Sequence, residues 1–233
     1  MRCPALILLL FSTLAAHAAD CPAYLKEALQ HFDPALPPEW AYTLTLERDH
    51  EISVERFDPS LPGQRQWTLL QRDNRPATAE ENSRYGSYRL TTSRSSQPAF
   101  RRGDIDLETL ELLREDARHA EFRFRFRKDL EDPMLRLLEL QLSVAKEPAF
   151  VERFMFQLTG PFSPVLTVKM LELRVETTLC PPTGDRPALP LRTTSRFRGR
   201  ILLFKSIEED VQSSYSDFTR VVPVAASAGS IPP

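Results

Sequence analysis

Glu121-Phe122-Arg123-Phe124-Arg125-Phe126-Arg127-Lys128 is the stretch that decides the fold. Phenylalanine and arginine take turns residue by residue. An extended strand turns that period of two into one oily face and one charged face, whereas a helix would scatter the same residues around its circumference. The segments on either side repeat the pattern. Downstream, Arg136 to Ala145 places Leu138, Leu140, Leu142 and Val144 on one side, and after a turn at Glu147-Pro148 the run Phe150 to Leu158 brings Phe154, Phe156 and Leu158 together. Gly160-Pro161 reverses the chain again. Val165 to Leu179 then sets Leu171, Leu173 and Val175 against Glu172, Arg174 and Glu176. A Pro-rich loop, Cys180 to Pro190, leads to Arg192 to Lys205, and Val211 to Val221 forms a last, weaker strand.

Upstream the alternation is present but shorter. Trp40, Tyr42, Leu44 and Leu46 share a face, Asp49-His50 turns the chain into Ile52, Val54 and Phe57, and Gln66 to Gln71 carries Trp67 and Leu69 on one side. Thr109 to Arg114 could be helix or strand by itself, and the Phe-Arg strand that follows favours a hairpin. With seven glycines and no Asn-Gly or Asp-Gly pair, the turns are expected to use longer loops or type I geometry. Two helices interrupt the strands. Tyr24, Leu25, Ala28, Leu29 and Phe32 recur at helical spacing before Pro34, Pro37 and Pro38, and Thr78 followed by Glu81 is a capping box that predicts a helix to about Tyr85. Arg89 to Gly103 is polar and long enough to act as a flap.

Strands so consistently two-faced belong to an antiparallel sheet with one wet and one dry side, and a broad sheet of that kind must close, fold over, or curl around helices. The predicted fold is mainly β: a curled antiparallel sheet or half-barrel of about nine to eleven strands, its two short helices covering the concave side. Residues 19–224 form one β-rich domain in this reading, and residues 225–233, small side chains and proline, a disordered tail.

The N-terminus reads as an export signal. Arg2 precedes an apolar run from Ala5 to Ala16, and Ala16-His17-Ala18 offers small residues at the positions a signal peptidase reads, so cleavage after Ala18 and a periplasmic or secreted protein are expected. That run is too short to span a membrane. Asp20 stands before Cys21, where lipoprotein signals place a small residue. Removing the leader takes Cys3 with it and leaves Cys21 and Cys180, an even number that predicts one disulfide in an oxidising compartment. Without Arg2, 29 basic residues face 32 acidic ones, a near balance that argues against nucleic acid as a bulk electrostatic partner.

Catalytic signatures are missing from the sequence. His31, His50 and His119 are scattered and lack ligand spacing. No serine stands in a nucleophile elbow, and no glycine-rich loop could cradle phosphate. Acidic runs such as Glu80-Glu81, Asp104 to Asp106 and Glu208-Glu209-Asp210 read as solvated faces. The expectation is a protein without catalytic residues, metal or cofactor. Arg123, Arg125 and Arg127 could present guanidinium groups to an acidic partner, or pair across strands with Glu139, Glu172 and Glu176. Their apolar counterparts could line a cavity or form core.

Further stretches carry a resemblance. Trp67-Thr68-Leu69-Leu70, Arg75 to Glu81, Gly160-Pro161-Phe162-Ser163-Pro164, Gly199 to Lys205 and Tyr215-Ser216-Asp217-Phe218 resemble segments of exported proteins of Gram-negative bacteria. Their layout is similar to the periplasmic lipoprotein-carrier class, the LolA- and LolB-like proteins, in which a curled antiparallel half-barrel is plugged by helices. The resemblance is one of strand order along nearly the whole mature chain and transfers no binding residue. It implies a cavity for acyl chains or another apolar ligand and no catalysis. In a curled sheet the apolar faces of the alternating strands look into the concavity, so Phe122, Phe124, Phe126, Leu138, Leu140, Leu142, Phe154, Phe156, Leu171 and Leu173 are expected to line a ligand site, or to form the core beneath it. The rival expectation is an envelope interaction module with a filled core and a protein partner on the arginine face.

Overall fold

In the computed structural model, residues 21–92, 100–202 and 205–222 are described, with the side chains of residues 90–92 left aside. The expected leader, the expected tail and residues 93–99 of the expected flap lie outside the described residues. Twelve strands form one antiparallel sheet. They are β1 (Trp40–Arg48), β2 (Glu51–Phe57), β3 (Trp67–Arg72), β4 (Arg75–Pro76), β5 (Ile105–Glu115), β6 (His119–Phe126), β7 (Leu138–Lys146), β8 (Ala149–Leu158), β9 (Phe162–Val165), β10 (Val168–Leu179), β11 (Pro190–Ile201) and β12 (Lys205–Arg220). Their order across the sheet is β4-β3-β2-β1-β12-β11-β10-β8-β7-β6-β5, with β9 beside β10. The sheet is curled and does not close on itself. The count exceeds the expected nine to eleven because β4 and β9, two and four residues long, are too short to show a period.

Register explains where the core sits. Phe122, Leu142 and Phe154 lie opposite one another across β6, β7 and β8, and the next row is Phe124, Leu140 and Phe156. The first row continues into Thr177 on β10 and Thr193 on β11, and the second into Val175 and Ser195. The inner face is therefore apolar on the β5–β8 side and turns polar toward the middle of the sheet, where the Thr177 and Thr193 hydroxyls meet at 3.0 Å in a buried pair. On the outer face, Arg123 lies near Glu111 and Glu139, and Arg153 bridges Glu121 and Glu176.

Two hairpin turns depart from the expected geometry. Asp49-His50 and Asp73-Asn74 are two-residue connections in which all four residues have positive φ. That is the mirror-image type I turn, whose twist matches the flanking strands, and Asp, Asn and His are the non-glycine residues that tolerate it best. In β2 the inward residues are Ser53, Glu55 and Phe57, so Ile52 and Val54 occupy the opposite face from the one Phe57 takes.

Helix α1 (Ala23–Gln30) forms where predicted. Helix α2 (Ala79–Thr92) runs seven residues past the predicted end and absorbs the start of the expected flap. Both capping-box bonds form at α2: the Thr78 N–H donates to the Glu81 carboxylate at 2.8 Å, and the Glu81 N–H donates to the Thr78 hydroxyl at 3.2 Å.

The expected Cys21–Cys180 bridge is absent, and both thiols are free. Cys21 lies one helical turn before Tyr24, whose ring packs on Phe122 of β6, whereas Cys180 follows the end of β10. Three strand spacings of ~4.8 Å separate β6 from β10, against the ~7 Å between Cα atoms that a disulfide tolerates.

Candidate functional site

Eight of the ten residues expected to line a ligand site do come together: Phe122, Phe124, Phe126, Leu138, Leu140, Leu142, Phe154 and Phe156 are all buried in one cluster. They form a continuous apolar bed, and α1 lies on it. The Tyr24 ring sits 6.2 Å from Phe122 and the Phe32 ring 5.4 Å from Phe154. The helix thus crosses β6, β7 and β8 instead of running along them. Its rise of ~12 Å over eight residues matches the ~10 Å from β6 to β8. Leu25, Ala28 and Leu29 face down between those two rings, and Phe100 fills the remaining floor against Phe126, Phe154 and Phe156.

Leu173 is half-buried at the margin of this cluster, and Leu171 is 40% exposed. The expectation fails at Leu171 because β10 pairs with β8 only over Arg174–Thr178 and its register on β11 slips between Met170 and Glu172. Leu171 is carried past the edge of the bed.

α1 is held lightly. Eight residues are too few for a helix to persist alone in water, and no side chain caps its N-terminus. Two polar clasps supplement the packing. The Tyr24 hydroxyl donates to Glu115 at 2.8 Å, and Lys146 approaches the same carboxylate at 2.8 Å. Burial, then the hydrogen bond to Glu115, pushes the Tyr24 hydroxyl up to about 12. At the other end Arg102 donates to the Leu29 and Gln30 carbonyls at 3.1 Å each, a cation on the negative end of the helix. Clefts flank the helix on both sides. One of about 940 Å³ opens between Lys26, Leu29, Ile105 and Leu107, and one of about 550 Å³ between Ala28, Phe32, Phe150, Val151 and Leu179. Leu29, Ile105, Phe32, Val151 and Leu179 belong to the core cluster, so each cleft touches its margin, while none of the eight bed residues lines either cleft.

The other half of the inner face is built differently. Glu55 is buried (1% exposed) under α2, where Arg89 forms an ion pair with it, Ser53 donates to it at 2.9 Å, and the Arg89 Nε also reaches the Tyr85 hydroxyl at 2.7 Å. The guanidinium lies 4.4 Å over the Trp67 ring. Sequence reading passed over this group because Glu55 falls at one position of a short strand and Arg89 lay in a segment expected to be loop.

Of the three arginines on the charged side, Arg123 faces Glu111 and Glu139 and Arg127 pairs with Asp129, while Arg125 has no acidic partner among the described residues. His31, His50 and His119 lie on separate elements, and among the described residues no three His, Cys, Asp or Glu side chains gather as a metal site. No helix among them is long and apolar enough to cross a membrane. Comparison with family models, curated proteins and solved structures finds no match to this chain.

Proposed function

We propose that this chain is a non-enzymatic, exported protein of the cell envelope that takes an acyl chain or another amphipathic ligand onto its apolar bed, with α1 as the element that gives way. One observation carries the reading. A continuous floor of phenylalanine and leucine is covered by one eight-residue helix together with Phe32 and Phe100, and an open cleft runs along each flank of that helix. Displacing α1 costs its packing and two clasps, and a ligand's methylenes return that energy at ~0.8 kcal/mol each, so a chain of ordinary length is sufficient.

Native mass spectrometry of the purified protein, followed by titration of a delipidated sample with a fluorescent fatty acid, tests this. Bound lipid and saturable uptake are expected. Phe32→Ala, which removes the ring that meets Phe154 edge to face, should tighten apparent binding about tenfold by raising the fraction of molecules with the bed uncovered. If neither the native protein nor that variant carries or takes up lipid, the reading fails. The second reading, an interaction module with a filled core, would then stand. It is favoured by the close packing of the bed under α1 and Phe100, and its partner surface would include the unpaired Arg125.

A further inference from the structure

Beyond the bed the sheet leaves its core. From Val168 to Leu173, β10 has only β11 and the short β9 as neighbours, so this stretch continues with β11 and the start of β12 as an arm roughly 20 Å long at ~3.4 Å per residue. Its end is formed by the turn between β9 and β10 and by Leu202, which follows the last residue of β11. The Leu202 N–H donates to the Thr167 carbonyl at 2.7 Å, which holds the two together. Leu166 is fully exposed, and Val165 and Leu202 are 56% and 58% exposed. Leu202 also holds a φ of 51°, a conformation that glycine or asparagine would adopt at less cost.

Charge along the arm is sorted by height. Lower down, the arginines are neutralised: Arg198 lies 3.7 Å from Glu172 and 2.6 Å from Glu208, and Arg196 2.9 Å from Asp210. Next to the tip, Lys169 sits directly opposite Arg200, and Lys205 pairs with Ile201. None of these three cations has an acidic partner among the described residues. Like charges placed opposite each other across a ladder repel, and the sheet supplies no anion between them.

An apolar end, a cationic collar and a shaft whose arginines are all paired with carboxylates match the layers of an anionic bilayer from acyl boundary through headgroups to water. We propose that this arm docks the protein on the surface of a membrane containing anionic phospholipid: Val165, Leu166 and Leu202 enter the acyl boundary, and Lys169, Arg200 and Lys205 meet the headgroup phosphates. Apolar burial and basic side chains near the surface each add to such binding, and the basic part is screened by salt.

Co-sedimentation of the full chain with vesicles of phosphatidylcholine, with and without phosphatidylglycerol, tests the proposal without reference to the acyl bed. Binding is expected only with phosphatidylglycerol present, and it should weaken as salt rises. Leu166→Asp should lower it at least about tenfold, and Lys169→Glu about fivefold or more, while the thermal melt of each variant stays that of the native protein because both side chains are exposed. Failure of the native chain to sediment with anionic vesicles, or unchanged binding by Leu166→Asp, would overturn it. A tip that serves a protein partner gives the first of those outcomes.

Discussion

Placing a carboxylate in the interior costs several kcal/mol unless a countercharge and hydrogen bonds compensate, and Glu55 has both from Arg89 and Ser53. Removing only one member strands the other. Glu55→Ala should therefore destabilise the protein by about 3 kcal/mol, seen as a lower urea midpoint, and Arg89→Met by a similar amount. The pair Glu55→Leu with Arg89→Met should recover most of that loss, since a well-packed apolar pair of like volume often matches a buried ion pair. Additive losses in the double variant would show instead that each side chain acts through separate contacts, such as the stacking of Arg89 on Trp67.

At the level of the element, α2 shows how much a local motif can specify and where it stops. Thr78 and Glu81 announced the helix start correctly because the capping box is a bond between residues three apart. The helix end was misplaced because Arg89 is kept helical by Glu55, 34 positions away in sequence, and no local signal reports such a contact. The same contrast holds for α1, whose apolar spacing was plain while its crossing of β6 to β8 depends on register. Leu171 likewise kept the parity of Leu173 and Val175 and lost its place in the bed to a register slip. The capping box also makes α2 acid-sensitive. Hydrogen bonds from Arg75, then from the Thr78 backbone, hold the Glu81 carboxyl at about 2 instead of its ordinary 4.5. A carboxylate with a lowered pKa contributes stability that is complete above its unfolded value and lost as pH falls through the folded one. Between pH 4.5 and 2, α2 amide protection should decline, as measured by hydrogen exchange. Glu81→Gln should flatten that decline and start from weaker protection at neutral pH.

Across the whole molecule, the two halves of the inner face differ in chemistry, one a phenylalanine and leucine bed and the other a buried ion pair among aromatic rings. The sheet that carries both is unbroken, because β12 pairs with β11 from Lys205 to Ser214 and with β1 from Val211 to Arg220, so that residues 211–214 have a partner on both sides. A single 16-residue strand thus spans the boundary, and neither half can lose its backbone partners without exposing the other's edge. Unfolding should accordingly be one cooperative event. Leu140→Ala in the bed, expected to cost about 2–5 kcal/mol as a fully buried leucine, and Glu55→Ala beneath α2 should each shift the same urea transition without splitting it. Tryptophan fluorescence follows the α2 half, where Trp40 and Trp67 lie, and far-UV circular dichroism follows the entire sheet. Coincident midpoints from the two signals in both variants would confirm one unit. A fluorescence midpoint that holds its native value in Leu140→Ala while the circular dichroism midpoint falls would mean that the halves fold apart, and that β12 joins two domains instead of stitching one.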